Sequence, residues 1–286
     1  MKTIWLTILI LCAVPAAASA QTHAPLLRQY VAGQALAYRM TADNDGWRYT
    51  VEAHGTVVKD ASGAFYEDYS WTHLVSDGKA QALPAAHQQL SLDLNRMPAP
   101  PDLSQVDQRL IGPVTDMLTF YADLWLAGKF NQLNKPGDHF YFPNPITPSW
   151  ADGAHVTLGE DAIDFDMTLK AVDAAAGTAT LDVRHVSPAQ PKVHLPAPWM
   201  QTPVTTGANN WVEVRKLDNG AFQASVGQET FDVELTVSLS DGRILRAAMT
   251  NPVKTVVRTC SDEALTHCDA AKPHEILRKV SIEPLP

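Results

Sequence analysis

The densest run of groups able to do chemistry is Ser149-Trp150-Ala151-Asp152-Gly153-Ala154-His155, followed by Gly159-Glu160-Asp161-Ala162-Ile163-Asp164-Phe165-Asp166. Five carboxylates and one imidazole fall within the fifteen residues 152–166. Asp152, Glu160 and Asp161 are oxygen ligands of the type that hold a hard divalent cation, and two carboxyls at a suitable separation would do general acid/base work. The same residues have a plainer use. Asp152-Gly153 is a turn, Gly159-Glu160-Asp161 reads as another, and Asp164 and Asp166 alternate with Ile163 and Phe165 as the wet face of a strand does. The plainer use is the expectation, a cation site at Asp152, Glu160 and Asp161 its competitor, and no residue is assigned as catalytic.

Other motifs yield to their surroundings. Thr41-Ala42-Asp43-Asn44-Asp45-Gly46, with Glu52 twelfth from Thr41, has the spacing of an EF-hand loop, but alternating flanks predict a hairpin in place of two helices. Ser76-Asp77-Gly78-Lys79 fits the S-x-x-K pattern of serine acyl-enzymes, which needs a helix where Asp77-Gly78 predicts a turn, and the companion motifs are missing. Nucleophile-elbow, zincin, dinucleotide-binding and P-loop patterns are absent, so no cofactor is implied. Cys260 and Cys268, seven residues apart in between, predict a disulfide in an oxidising compartment; a zinc site with His267 and His274 lacks the two-residue spacing such sites use.

Large apolar side chains outside regular strands form a further group. Met117, Phe120, Tyr121 and Trp125 lie on a helical pattern, and Trp150, Trp199, Met200 and Trp211 in loops or at strand starts. They plug the core, or they line a cavity that adapts to acyl chains and other apolar ligands, with Trp199-Met200 at its mouth. Asn209-Asn210 beside Trp211 offers amides suited to a polar headgroup or a sugar.

The elements that must position these groups are mainly strands. Apolar residues recur with period two over residues 34–41, 47–58, 64–74, 89–94, 163–172, 178–186, 211–217, 230–239, 243–250 and 275–282, punctuated by Asp-Gly, Asn-Gly and Ala-Gly turns. One segment has period 3.6 instead. Leu110, Val114, Met117, Leu118, Tyr121, Leu124 and Trp125 predict a helix with a wide apolar face, Pro113 in its first turn, Gly128 at its end and Asp116 and Asp123 on the opposite face. The expected fold is mainly β: one large curved antiparallel sheet of about ten strands, a half-barrel or open barrel, packed on one central amphipathic helix.

Compartment and charge narrow the function. Lys2, the apolar run 4–14 and the small-residue tail ending at Ala20 predict a signal peptide over residues 1–20, cut before Gln21. Residues 21–286 are then expected as a single exported domain with no transmembrane segment, halves at 21–150 and 151–286 being the alternative. The net charge of −9 and the lack of any Lys/Arg cluster exclude nucleic acid as a partner.

In strand number, export signal and central helix the chain resembles, in architecture, the bacterial periplasmic lipoprotein carriers. That resemblance implies a curved half-barrel with an apolar cavity covered by helix. The expected function is a periplasmic or secreted binding or carrier protein for a hydrophobic small molecule or lipid. A cell-envelope hydrolase using Asp152, Glu160 and Asp161, and an envelope adaptor pairing through a sheet edge, are the alternatives.

Overall fold

The computed structural model describes residues 25–96, 98 and 106–286; the expected signal peptide lies outside them. Alternating burial along the chain makes strands of about half of it, 49% strand against 11% helix. The N-terminal meander is β1 (Ala35–Asn44), β2 (Trp47–Lys59), β3 (Phe65–Ser76), β4 (Lys79–Ala80) and β5 (His87–Leu90). Asp45 and Gly46, both at positive φ, turn β1 into β2 in two residues, so the aspartates there shape a hairpin and not a cation loop.

A 3₁₀ turn, Gln108–Leu110, runs into α1 (Ile111–Phe130), which ends on Asn131 in the left-handed region. Then follow β6 (His139–Phe142), β7 (Val156–Asp161), β8 (Asp164–Asp173), β9 (Thr178–Val186), β10 (Trp211–Lys216), β11 (Phe222–Glu229), β12 (Phe231–Ser238), β13 (Ile244–Cys260) and β14 (Lys272–Pro284). All fourteen strands belong to one open antiparallel sheet.

Its main path runs β4-β3-β2-β1-β14-β13-β12-β9-β8-β6 and curls around α1. Met117 and Phe120 at 0% exposure and Tyr121 and Leu124 at 1% meet Tyr69, Leu90, Leu169, Leu181 and Leu235 in a continuous core. Each such side chain is worth roughly 1.5–3 kcal/mol of burial. The helix is wrapped more fully than its pattern suggests: Asp116 and Asp123, expected on a wet face, both point inward. The Oη of Tyr49 donates to Asp116 Oδ2 at 2.9 Å, and Asp123 Oδ1 meets His185 Nε2 at 2.7 Å. The outer stripe of α1 holds Thr115, Leu118, Thr119, Ala122 and Trp125, half-exposed. Among the described residues no helix is long and apolar enough to cross a membrane.

β13 changes its neighbour part-way along. Residues 244–250 pair with β12 and residues 253–260 with β11, while β14 runs beside almost the whole strand. Pro252, with no N–H to offer, sits at the changeover, where neither neighbour pairs. Past it, β14, β13, β11, β10 and β7 form an extension with a small core of its own: Val212, Val214, Phe222, Ala224, Val226, Met200 and Leu265. The Cys260–Cys268 disulfide closes the loop beside this core.

Candidate functional site

In the extension, odd-numbered residues of β10 and β11 turn away from the small core, and the register stacks them into rows. One row reads Asp161, Trp211, Gly227, Thr255, His274; the next reads Gly159, Glu213, Ser225, Val257, Lys272. From these rows Trp211, Thr255, His274, Glu213, Ser225, Val257 and Lys272, with Gln223, Arg215, Val253, Ile276 and the N-terminal turns of α1, at Ile111 and Thr115, line an open cleft of about 870 Å³. The cleft therefore lies between the extension and the start of the helix.

Two indoles make one wall. Trp150 and Trp211 have ring centroids 6.2 Å apart at 33°, and Trp150 Nε1 donates to Glu213 Oε2 at 3.1 Å. Trp150 lies on Gly159, where an added Cβ would sit 2.4 Å from the indole nitrogen; only glycine leaves room for the ring. Glu213 also accepts from Arg215 at 2.6 and 3.1 Å, so the wall's cation and anion neutralise each other.

The closed end is ionic and buried. Arg278 donates through Nη2 to Asp116 and through Nη1 to Asn251 Oδ1 at 3.1 Å. Beside it Glu229 is buried, and its carboxyl is raised to about 8, by lost hydration first and the nearby Asp161 next, against the pull of Arg278. Burial likewise raises Asp161 to about 6, His185 opposing, and its Oδ1 has no hydrogen-bond partner. Burial thus disfavours the ionised form of both carboxyls, and for Glu229 the charge of Asp161 adds to it.

The expected site residues scatter. Trp150 and Trp211 come together in the cleft. Met117, Phe120 and Tyr121 are packed in the main core, the Tyr121 hydroxyl on the buried Glu67 that also pairs with Arg28 at 3.1 Å. Trp125 is half-buried and donates to the Asp93 carbonyl at 3.0 Å. Met200 lies in the small core with Trp199 against it, on the far side of the sheet from the cleft, and Trp199 Nε1 donates to the Leu265 carbonyl at 3.3 Å.

Asp152, Glu160 and Asp161 do not converge either. Asp152 caps a turn, accepting from the amides of Ala154, His155 and Val156 at 2.7, 2.7 and 2.9 Å. Glu160 accepts from the His194 amide at 2.7 Å, and as the neighbour of Asp161 in β7 it projects from the opposite face. The Asn209 and Asn210 amides are spent on backbone: Asn209 bonds to Met200 and Thr202, and Asn210 to Ala162 and to both backbone groups of Glu229.

Sequence reasoning passed over Glu229, Gln223, Ser225 and Arg278, and weighed His274 only as a zinc ligand beside the cysteines. The signal for two of them was present, since Lys272, His274, Ile276 and Arg278 recur every second residue and so share a face. Compared with protein-family models, with curated proteins and with solved structures, the chain matches none of them.

Proposed function

We propose that the protein is an exported binding or carrier protein for an amphipathic ligand, held in the cleft between the extension and the start of α1. The observation that carries this reading is the cleft's lining: two indoles and the aliphatic Val253, Val257 and Ile276, with charges already paired as Glu213 with Arg215 and Asp116 with Arg278. An apolar body would lie on the indoles and aliphatic side chains, and a hydrogen-bonding head would meet Gln223, Ser225 and Thr255. Because the cations there have carboxylate partners, the lining favours a head that bonds over one that brings a net charge.

The tightly filled space under α1 moves the ligand out of the half-barrel, with the helix a structural plug. The test is native mass spectrometry of the untagged mature protein prepared without detergent, followed by organic extraction. One lipid-like molecule per chain is expected, lost in Trp211→Ala and Trp150→Ala and kept in Trp199→Ala, whose ring lies behind the sheet. A chain at its bare mass that also shows no change in tryptophan fluorescence on titration with amphiphiles overturns the proposal.

A further inference from the structure

On the far end of the molecule, the outward face of the N-terminal meander gathers two histidines and a glutamate from adjacent strands. Glu52 and His54 are two residues apart on β2 and so project from the same face, the one opposite the buried Val51 and Ala53. His73 comes from β3, where plain alternation would not put it there. Glu67, Tyr69 and Trp71 point inward in step, and then the β2–β3 register shifts, so that Thr72 and His73 both lie outward before Leu74 resumes the core. The extra residue is His73 itself, at φ 53°, a left-handed conformation that glycine or asparagine ordinarily supplies. A bulge of this kind re-aims one side chain, and here it brings an imidazole over the partner strand.

The result is three lone-pair atoms converging on one point. His73 Nδ1 is 3.0 Å and His54 Nε2 3.4 Å from the same carboxylate oxygen, Glu52 Oε2, and all three atoms lie within 4.8 Å of one another. A tetrahedral ion with bonds of about 2.0–2.1 Å holds its ligand atoms about 3.4 Å apart, a spacing these three atoms can reach with small side-chain rotations. The other carboxylate oxygen, Oε1, accepts from Arg39 Nη2 at 3.3 Å, and Thr72 Oγ1 lies 3.1 Å from His73 Nδ1. Arg39 thus fixes the carboxylate from behind, as the outer partner of a metal-bound carboxylate does.

We infer that Glu52, His54 and His73 form a binding site for a zinc-type divalent ion, with two imidazole nitrogens and one carboxylate oxygen as protein ligands and water completing the shell. Two nitrogens and one oxygen suit zinc and its late first-row neighbours over magnesium or calcium, which take oxygen alone. The site is on the opposite sort of surface from the cleft and independent of what the cleft binds.

The test is isothermal titration of the untagged mature chain with zinc chloride in a non-coordinating buffer. One saturable equivalent per chain is expected. His54→Ala and His73→Gly each weaken it at least about tenfold, and His155→Ala, a histidine on a remote turn, leaves it unchanged. His73→Gly is a safe variant because glycine takes the left-handed conformation without strain, and its melting temperature without metal is expected at or above that of the parent. X-ray absorption on the one-to-one complex should show nitrogen and oxygen neighbours at about 2.0–2.1 Å and no sulfur. No saturable equivalent in the parent chain, or an equivalent that survives His54→Ala combined with His73→Gly, overturns the assignment.

Discussion

Replacing Glu229 by glutamine tests the ionic end of the cleft through the pH dependence of stability. The carboxyl has an ordinary value of 4.5 and is raised to about 8 in the fold, desolvation first and Asp161 second. Between those two pH values the folded chain holds a proton that the unfolded chain has released, so stability falls as pH rises through the window. The penalty is absent below 4.5 and complete above about 8. At about 1.4 kcal/mol for each pH unit, and with no solvent to screen a fully buried group, the window amounts to roughly 5 kcal/mol.

Glu229→Gln keeps the shape and hydrogen bonding of the protonated acid and cannot ionise. Its stability relative to the parent should be equal or slightly lower at about pH 5 and higher by roughly 3–4 kcal/mol at about pH 9. Asp161 adds a smaller decline between 3.8 and about 6, present in both proteins, so it largely drops out of the difference. Urea unfolding across this range at constant ionic strength measures the gap directly. A gap that stays the same at every pH would show that Glu229 ionises freely in the fold, and the account of the closed end would be wrong.

Phe120→Ala, at the centre of the helix-to-sheet core, is expected to cost about 3–5 kcal/mol in urea unfolding, because the wrapped helix cannot collapse into the space. Asn210→Ala strands the Ala162 carbonyl and the Glu229 amide; a loss of about 2–4 kcal/mol is expected by the same assay. Reducing the Cys260–Cys268 bridge, which spans a sequence separation of 8, should lower stability by about 2–3 kcal/mol, checked by comparing melts of oxidised and reduced protein.

Nine of the ten expected strand segments coincide with strands, residues 178–186 matching β9 end for end, while 89–94 meets β5 only at Gln89 and Leu90. The half-barrel was legible because most of its strands keep an apolar residue at every second position. The strands that escaped notice are the short β4 and β6 together with β7 and β11, and the last of these lines the cleft. In β11 Phe222, Ala224 and Val226 alternate with Gln223, Ser225 and Gly227, so the period-two signal was there, diluted by small side chains on both faces.

β13 was seen only to residue 250, since Pro252 reads as a stop unless the partner change there is known. The inward aspartates of α1 were misplaced for a related reason: their partners, Tyr49, Arg278 and His185, are far away in the chain. The zinc-type triad needed a bulge that no spacing announces, because His73 is odd-numbered beside two even-numbered ligands.

The position of β14 has a consequence for how the chain comes to be folded. It follows every other described strand in the chain, yet it lies between β1 and β13, the one near the start of the described chain and the other immediately before it. Until it emerges from the ribosome, the meander and the remaining strands have no shared neighbour and each shows an unpaired flank. Pairings of such long sequence separation are slow to form. The nascent chain is therefore kept from early closure, and the thirteen-residue β14 acts as the trigger that commits both parts together.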